Sequence, residues 1–448
     1  MKKLFIFMAI IIFSNSNTYS QSINLQQARA MALASSSSLA RFELSIRTSI
    51  LNERSQLYAM LPQVSANVNA SMYYFFDGEF VNPADTFTAG ASFSVTQIIF
   101  QGGRNFIQRA IREIETERVR KNALAAFFDV LDAVDNAYYA VLEAAASLEA
   151  EQSSLEAASL GLAIAEIRYN GGMINQGDYL KALSDKEMRE NSFNIARRNL
   201  SQVMNRFKVL TKITVNVQLE EISFDVYEDT LLRLASISDE DAEALYDDFW
   251  NLIASSNPSL AIAAMSNDIA GKNHTLTLRS YSPEVSATVF SATVPFVSSR
   301  NAETTRNATT RGGVTITGRI PLDFWVMNNN IEKSRIARDQ ADIDFENTQR
   351  DAEQELSGAL SGLFTQAANV LSSRRSLEYA QRHFDFIMER YRLGHSSVSD
   401  LNEASSFLIT ARNNLNRASY SFLQGLSKLR SLCALDDEEA LLNKLIRN

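Results

Sequence analysis

Arg168-Tyr169-Asn170-Gly171-Gly172 ends one long heptad run, and Arg390-Tyr391-Arg392-Leu393-Gly394 ends another. Leu148, Leu155, Leu162 and Tyr169 recur every seven residues, with Phe127, Val134 and Val141 ahead of them. Val130, Ala137, Ala144, Ala158 and Ala165 fall between, and Glu151 interrupts the pattern. Adding 222 to Val134, Val141, Leu148, Leu155, Leu162 and Tyr169 lands on Leu356, Leu363, Val370, Leu377, Phe384 and Tyr391. The register is copied, not only the composition. A sustained seven-residue repeat keeps its seam on one face when helices supercoil left-handedly. The chain is therefore read as two tandem copies of a long-helix unit.

Each heptad run stops at glycine, which accepts the left-handed conformation that ends a helix. Six residues after Gly172 comes Asp178, and six after Gly394 comes Asp400. A carboxylate suits the first turn of a return helix, where it faces the positive end of the helix dipole. Each copy is thus a helical hairpin with a tight tip. Upstream, Leu61-Pro62-Gln63-Val64-Ser65-Ala66 aligns with Ser282-Pro283-Glu284-Val285-Ser286-Ala287, and Ser38-Leu39-Ala40 with Ser259-Leu260-Ala261. Phe100, at the end of an apolar run, matches Phe324.

Four segments switch to period two. Val64, Ala66, Val68, Ala70, Met72 and Tyr74 alternate with polar residues; so do Phe87, Ala89, Ala91, Phe93 and Val95. Val285, Ala287 and Val289 form a third set, and Val314, Ile316 and Ile320 a fourth. Each segment is about ten residues, the length a tilted strand needs to cross a hydrocarbon layer. Tyr73 to Phe76, Phe87, Phe100, Phe324 and Trp325 crowd the segment ends, as interfacial aromatics do. The connections, Asp77 to Asp85 and Ser298 to Thr310, are polar. A soluble half-buried sheet is the plainer alternative for one such pair; four matched strands favour a membrane barrel. Spanning strands leave no open edge, because an unpaired backbone group in lipid costs several kcal/mol. Four strands do not close, so subunits share a barrel: two copies make eight strands filled by side chains, and three make twelve around a lumen. The helices from Asn105 to Tyr169 and from Ile331 to Tyr391 span roughly 60 residues each, or about 90 Å.

The organisation expected is a signal peptide at 1–20 and a first repeat at 21–210, with a β-hairpin at 62–100 and a tip near 170–178. An equatorial segment follows at 211–248. The second repeat covers 249–432, with a β-hairpin at 283–324 and a tip near 392–400, before a C-terminal equatorial tail at 433–448. Lys2 and Lys3 precede the apolar run Leu4 to Phe13, which is too short to span a bilayer, and Thr18 and Ser20 suit a cut before Gln21. No later segment is long and apolar enough for a transmembrane helix. A net charge of −9 argues against nucleic acid as a partner. Cys433 is the single cysteine, which excludes an intramolecular disulfide and fits a buried apolar side chain.

Over nearly the whole mature chain these residues resemble the outer-membrane efflux protein family, the TolC-like trimeric channels of Gram-negative envelopes. The resemblance rests on the duplicated order and on Arg-Tyr-x-x-Gly-x5-Asp, present at Arg168 and again at Arg390. It implies a mainly α fold with a β-barrel portion, four transmembrane strands per subunit in a twelve-stranded barrel shared by a homotrimer, and a periplasmic α-barrel of long hairpins. The function it implies is a passive exit duct across the outer membrane and periplasm. Its partners would be a periplasmic adaptor (membrane fusion) protein, an inner-membrane pump of RND or ABC type and outer-membrane lipid, with type I secretion among the systems served. By position, Asp400 and Glu403 match acidic residues lining the closed periplasmic mouth, Tyr391 a tip tyrosine that holds it shut, and Asp178 that tyrosine's partner. Ser396 stands where some members carry an arginine, so a salt-bridge lock is absent there. The adaptor would dock on the tips, at Arg168, Tyr169, Gly171, Gly172, Asn175, Arg390, Gly394 and Ser397.

Plainer readings stand beside these. Asp400 with Glu403 is also an N-terminal cap plus a solvated glutamate, the two tyrosines are also the last knobs of their heptads, and the glycines are turns first. His274, His383 and His395 have no metal-ligand spacing, and no nucleophile arrangement or phosphate loop is present, so no enzyme, cofactor or metal is expected. The competing function is a periplasmic coiled-coil adaptor or structural tether.

Overall fold

The computed structural model describes residues 22–73, 76–77, 80–81, 86–215, 217–293, 296–298 and 310–447. The signal peptide assigned to 1–20 lies outside the described residues, as do much of the first polar connection, nearly all of the second, and the side chains of Tyr73 to Phe76 and Phe87. The elements in order are β1 (Ser22–Ile23), α1 (Leu25–Ser35), α2 (Ser37–Tyr58), β2 (Gln63–Tyr73), β3 (Phe76–Asp77), β4 (Phe80–Val81), β5 (Thr86–Phe100), α3 (Arg104–Asn170) and α4 (Gln176–Thr211). The second half continues with β6 (Gln218–Leu219), α5 (Glu228–Ala235), α6 (Asp239–Ser256), α7 (Pro258–Leu278), β7 (Glu284–Thr293), β8 (Phe296–Ser298), β9 (Thr310–Arg319), α8 (Phe324–Leu393), α9 (Val398–Leu432) and α10 (Glu438–Arg447). They form two compact units: Ser37–Ala126 with Ala254–Gln354, and Met1–Ser36 with Phe127–Ile253 and Glu355–Asn448.

The first unit is built on an antiparallel sheet of order β2-β5-β7-β9, with β8 also paired to β5. The period-two alternation sets its chemistry. Val64 faces Val95, Val95 faces Val289 and Val289 faces Val314, a row of four valines across one face. The opposite face is polar, with Ser65 bonded to Ser94 at 2.8 Å and Thr96 to Thr288 at 3.0 Å. Val68 is 86% exposed and Ile316 72%, so among the described residues the apolar face has no partner. An apolar face left bare on this scale marks a surface that meets lipid or protein. β2 and β9 are open edges of the sheet. The sequence reading of four strands matches the path β2-β5-β7-β9, the short β8 is a fifth strand it did not include, and β5 runs 15 residues and carries a bulge between Ile98 and Phe100. One reading is corrected. β9 ends at Arg319, and Phe324 and Trp325 open α8 instead of closing a strand. Pro321 has no N–H to give a ladder, and the helix starts three residues later at Phe324. Phe324 stacks on Tyr281 at 6.3 Å.

In the second unit the chain's N-terminal arm, the segment after α4 and the C-terminal helix meet. β1 lies parallel to β6, and the Tyr138 hydroxyl sits 3.0 Å from Ile23 O and 2.7 Å from Glu220 O. α10 packs on α5 with Leu231, Leu234, Leu441 and Leu445 buried, and Arg233 donates to the Ile446 carbonyl. At the centre is an ion cluster that nothing in the heptad pattern announces. Asp135, fully buried beside the core residue Val134, accepts from Arg29 at 2.6 and 2.8 Å, from Arg430 at 2.7 Å and from Ser427 at 2.8 Å. Glu438 extends it, 3.4 Å from Arg29 and accepting from Tyr227 at 2.6 Å. An ion without partners does not survive burial, and Arg29, Arg430 and Ser427 supply them.

Cys433 is buried, and loss of solvation pushes its thiol up to about 12. The thiol is therefore protonated and inert at neutral pH. Maleimide is expected to leave the native protein unlabelled and to label it fully after denaturation; rapid labelling of native protein would contradict the burial.

Candidate functional site

The two tips are built alike at the backbone. Gly172 N–H donates to Tyr169 O (3.0 Å) and Met173 N–H to Arg168 O (2.8 Å); Gly394 N–H donates to Tyr391 O (3.1 Å) and His395 N–H to Arg390 O (2.8 Å). Gly172 and Gly394 have φ of +71° and +87°, the left-handed region only glycine enters freely; Gly171 does not. The return helices are capped at equivalent positions. The Asn175 side chain accepts from Asp178 N–H at 2.9 Å, and the Ser397 hydroxyl from Asp400 N–H at 3.2 Å. The Asp400 carboxylate in turn accepts from Ser397 N–H at 2.9 Å, while that of Asp178 accepts from the Asn175 amide at 3.0 Å. Asn175 and Ser397 are thus N-caps, a role their sequence positions had not suggested.

The side chains break this symmetry. Tyr391 is 1% exposed, while Tyr169, its counterpart in the repeat, is 38% exposed and stacks on Tyr179 at 5.1 Å. Tyr169, the last apolar knob of its heptad in the sequence reading, is thus exposed in the single chain. Tyr391 packs with Ala165, Ala182, Met388, Val398 and Leu401, drawn from all four helices of the two hairpins. Its hydroxyl donates to Gly161 O at 3.2 Å. A Cβ at Gly161 would meet Leu401 at 3.1 Å, so the glycine permits this close approach. Arg168 reaches from the first tip to the second. It donates to the carbonyls of Tyr391 and, at 3.4 Å, Arg392, and lies over the Tyr391 ring at 4.7 Å. Arg390, its counterpart, stays in its own tip, donating to His395 O at 3.0 Å and lying over Phe386.

Asp400 and Glu403 are exposed and one turn apart on α9. The Ser397 backbone N–H holds the Asp400 carboxyl below its usual range, so it is charged at neutral pH. Burial raises the Tyr391 phenol, Arg168 lowers it and Asp178 raises it again, which puts Asp178 in the electrostatic neighbourhood of that ring. Sequence reasoning passed over Asp185. Its carboxyl is buried beside a small cavity lined by Ala157, Gly161, Tyr391 and Asn402, and desolvation raises its pKa against the opposing effect of Arg189. Arg189 donates to the Ser406 hydroxyl at 2.7 Å, tying α4 to α9, and the Asn402 amide, with its oxygen and nitrogen interchanged to suit its neighbours, donates to Asp185 at 3.2 Å. Among the described residues no group of three or more His, Cys, Asp or Glu is placed to hold a metal ion, and no helix is long and apolar enough to cross a membrane.

The family model described as outer membrane efflux protein matches residues 24–211 and 250–434. Among solved structures the chain is similar to CusC, with a TM-score of 0.77 and 16% identity over 94% of this chain and 95% of that one. It is similar to the Campylobacter jejuni CmeC outer membrane channel, with a TM-score of 0.73 and 16% identity over 98% and 94%. It is also similar to the outer membrane protein VceC of Vibrio cholerae, with a TM-score of 0.70 and 13% identity over 92% and 96%. At these identities the likeness is one of fold. No curated protein matches the chain. The family match covers both copies of the duplicated unit and the sheet carries matching chemistry: the chain belongs to the outer membrane efflux protein family and forms part of an outer-membrane efflux duct with a helical periplasmic portion.

Proposed function

We propose that three copies of this chain close one twelve-stranded barrel and one helical tunnel, a passive exit path driven by an inner-membrane pump of RND or ABC type through a periplasmic adaptor. The observation that carries this reading is the sheet ordered β2-β5-β7-β9, open at β2 and β9 and bare on its apolar face. Open edges in lipid are too unfavourable to persist, so copies supply each other's missing neighbour. The helices support the same conclusion: Tyr379, Phe386 and Leu393 repeat every seven residues on α8 and are exposed in the single chain, a second seam awaiting a second copy. Purified protein should be trimeric by light scattering and conduct ions in planar bilayers; a non-conducting monomer would favour the adaptor or tether reading.

The tips are the proposed periplasmic mouth. Three copies would set six carboxylates from Asp400 and Glu403 around one opening, and such a ring attracts cations. Multivalent cations are expected to block the wild-type channel and to lose that block when both residues become Ala. Unchanged block would leave Asp400 as a helix cap and nothing more. Arg168, Tyr169, Gly171, Gly172, Asn175, Arg390, Gly394 and Ser397 are the proposed docking surface for the adaptor, and Asp178 and Tyr391 belong to the closing contacts. Photo-crosslinkers placed at Met173 and His395, beside the capping residues, test the docking by capturing the adaptor.

A further inference from the structure

Only one face of the sheet carries full charge. On the polar face, where Gln63, Ser65, Asn67 and Thr288 stand, the charged side chains among the described residues are Glu284, Arg319 and Arg311. Arg319 is in register with Glu284, whose carboxylate lies 3.2 Å from Arg104. The Glu284 carboxylate thus pairs with Arg104 and has Arg319 opposite it in the ladder. Arg311 sits at the other end of β9 in register with Ala292, which is in register with Ser92 of β5. It is exposed and, among the described residues, has no acidic neighbour on the sheet. β9 is also an open edge, so a closing strand comes to lie beside it, and between identical subunits that strand is β2. On the same face β2 presents Gln63, Ser65, Asn67 and Asn69. Whichever of these the register brings alongside, the neighbour offers amides and hydroxyls and no carboxylate.

We propose that Arg311 sets the charge preference of the barrel: three Arg311 guanidinium groups ring the lumen and favour solutes carrying carboxylate, phosphate or sulfonate groups, with Arg319 adding a weaker second ring. The inference rests on the shared-barrel reading above, in which the polar face lines the lumen. A ring of arginines in a narrow path with low-dielectric walls focuses positive potential, and anions are its natural counter-charge. The arrangement assigns a cargo preference to the duct wall itself, separate from whatever the pump selects.

The test is the reversal potential of purified channels in planar bilayers across a KCl gradient. All variants carry Asp400→Asn and Glu403→Gln, so that acidic side chains do not mask the barrel. Arg311→Gln is expected to lower the chloride-to-potassium permeability ratio on the order of threefold, about one kT of lost local potential. Arg311→Glu should lower it further, and Arg311→Lys should keep the parent ratio and show that the charge, not the fold, is being read. An unchanged ratio in Arg311→Gln and Arg311→Glu, with conductance intact, overturns the proposal. Absence of conductance in the unsubstituted protein instead removes the duct reading on which it stands.

Discussion

Replacing Asp135 with Ala is expected to destabilise the protein by about 3–5 kcal/mol, because it leaves a buried arginine with no counter-ion. The effect should fall mainly on Arg430. Its side chain is 2% exposed, its Nη2 donates to Asp135 at 2.7 Å, and its Nε is already buried without a hydrogen-bond partner. Arg29 is better placed to adapt, since Glu438 stands 3.4 Å away. Burial opposes the charge on Arg29, and the bonds to Asp135 with the added field of Glu438 outweigh it, so its pKa lies above the ordinary value. Ser427→Ala removes one hydrogen bond from the same carboxylate and should cost only about 1 kcal/mol. Asp135→Leu combined with Arg430→Met should recover part of the loss, as apolar replacement of a whole buried pair often does. Thermal unfolding followed by circular dichroism in detergent distinguishes these, read as unfolding rates if the transition is irreversible. An Asp135→Ala protein no less stable than Ser427→Ala would show that the cluster is solvated and the burial argument wrong. The cluster joins α1, α3, α9 and α10, so the N-terminal arm and the C-terminal helix should loosen together.

Arg168→Ala should raise the closed-state leak of the channel and expose the second tip to protease, while Arg390→Ala should do neither. The two arginines occupy the same place in the repeat, so the sequence offers no reason for a difference. Arg168 donates to the carbonyls of Tyr391 and Arg392 in the last turn of α8, the first of which also accepts from Gly394 N–H. A hydrogen bond from a charged donor contributes about 1.5–3 kcal/mol when buried, and the stacking on Tyr391 about 0.5–1 kcal/mol. Arg168 is only half-buried, which brings the sum to about 1–2 kcal/mol after solvent screening. Arg390 has one comparable bond, to His395 O in its own exposed tip. Tyr391→Phe separates the contributions, because it keeps the ring under Arg168 and removes only the bond to Gly161 O, worth about 1 kcal/mol. A double-mutant cycle between Arg168→Ala and Tyr391→Leu should show coupling of about 1 kcal/mol. Equal leak from Arg168→Ala and Arg390→Ala would mean that the cross-tip clamp does not hold the mouth.

The features legible beforehand were those repeated along the chain. Seven-residue spacing exposes a helix seam directly, and two-residue spacing exposes the faces of a strand, so Val64, Val95, Val289 and Val314 fell on one side before their register was known. Gly172 and Gly394 were readable because a left-handed residue is rarely anything else. The start of α8 was misplaced, since Phe324 and Trp325 suit a strand end as well as a first helical turn and Pro321 fits both. Asp135 and Asp185 were passed over for a different reason: a carboxylate on a long helix is ordinarily solvated, and only the packing of distant segments removes the water.

The duplication by itself determined that the chain would fold as two strand-and-hairpin copies, with glycine-closed tips and acidic first turns in the return helices. Periodicity is a local property, and every turn of helix or pair of strand residues restates it. Tertiary structure alone decided that the copies would not be equivalent. One tyrosine of the pair is enclosed by four helices and the other lies on the surface; one arginine crosses to the opposite tip and the other stays at home. Each hairpin packs against a partner that differs from itself, so identical motifs meet different surroundings, and burial, hydrogen bonding and charge follow the surroundings.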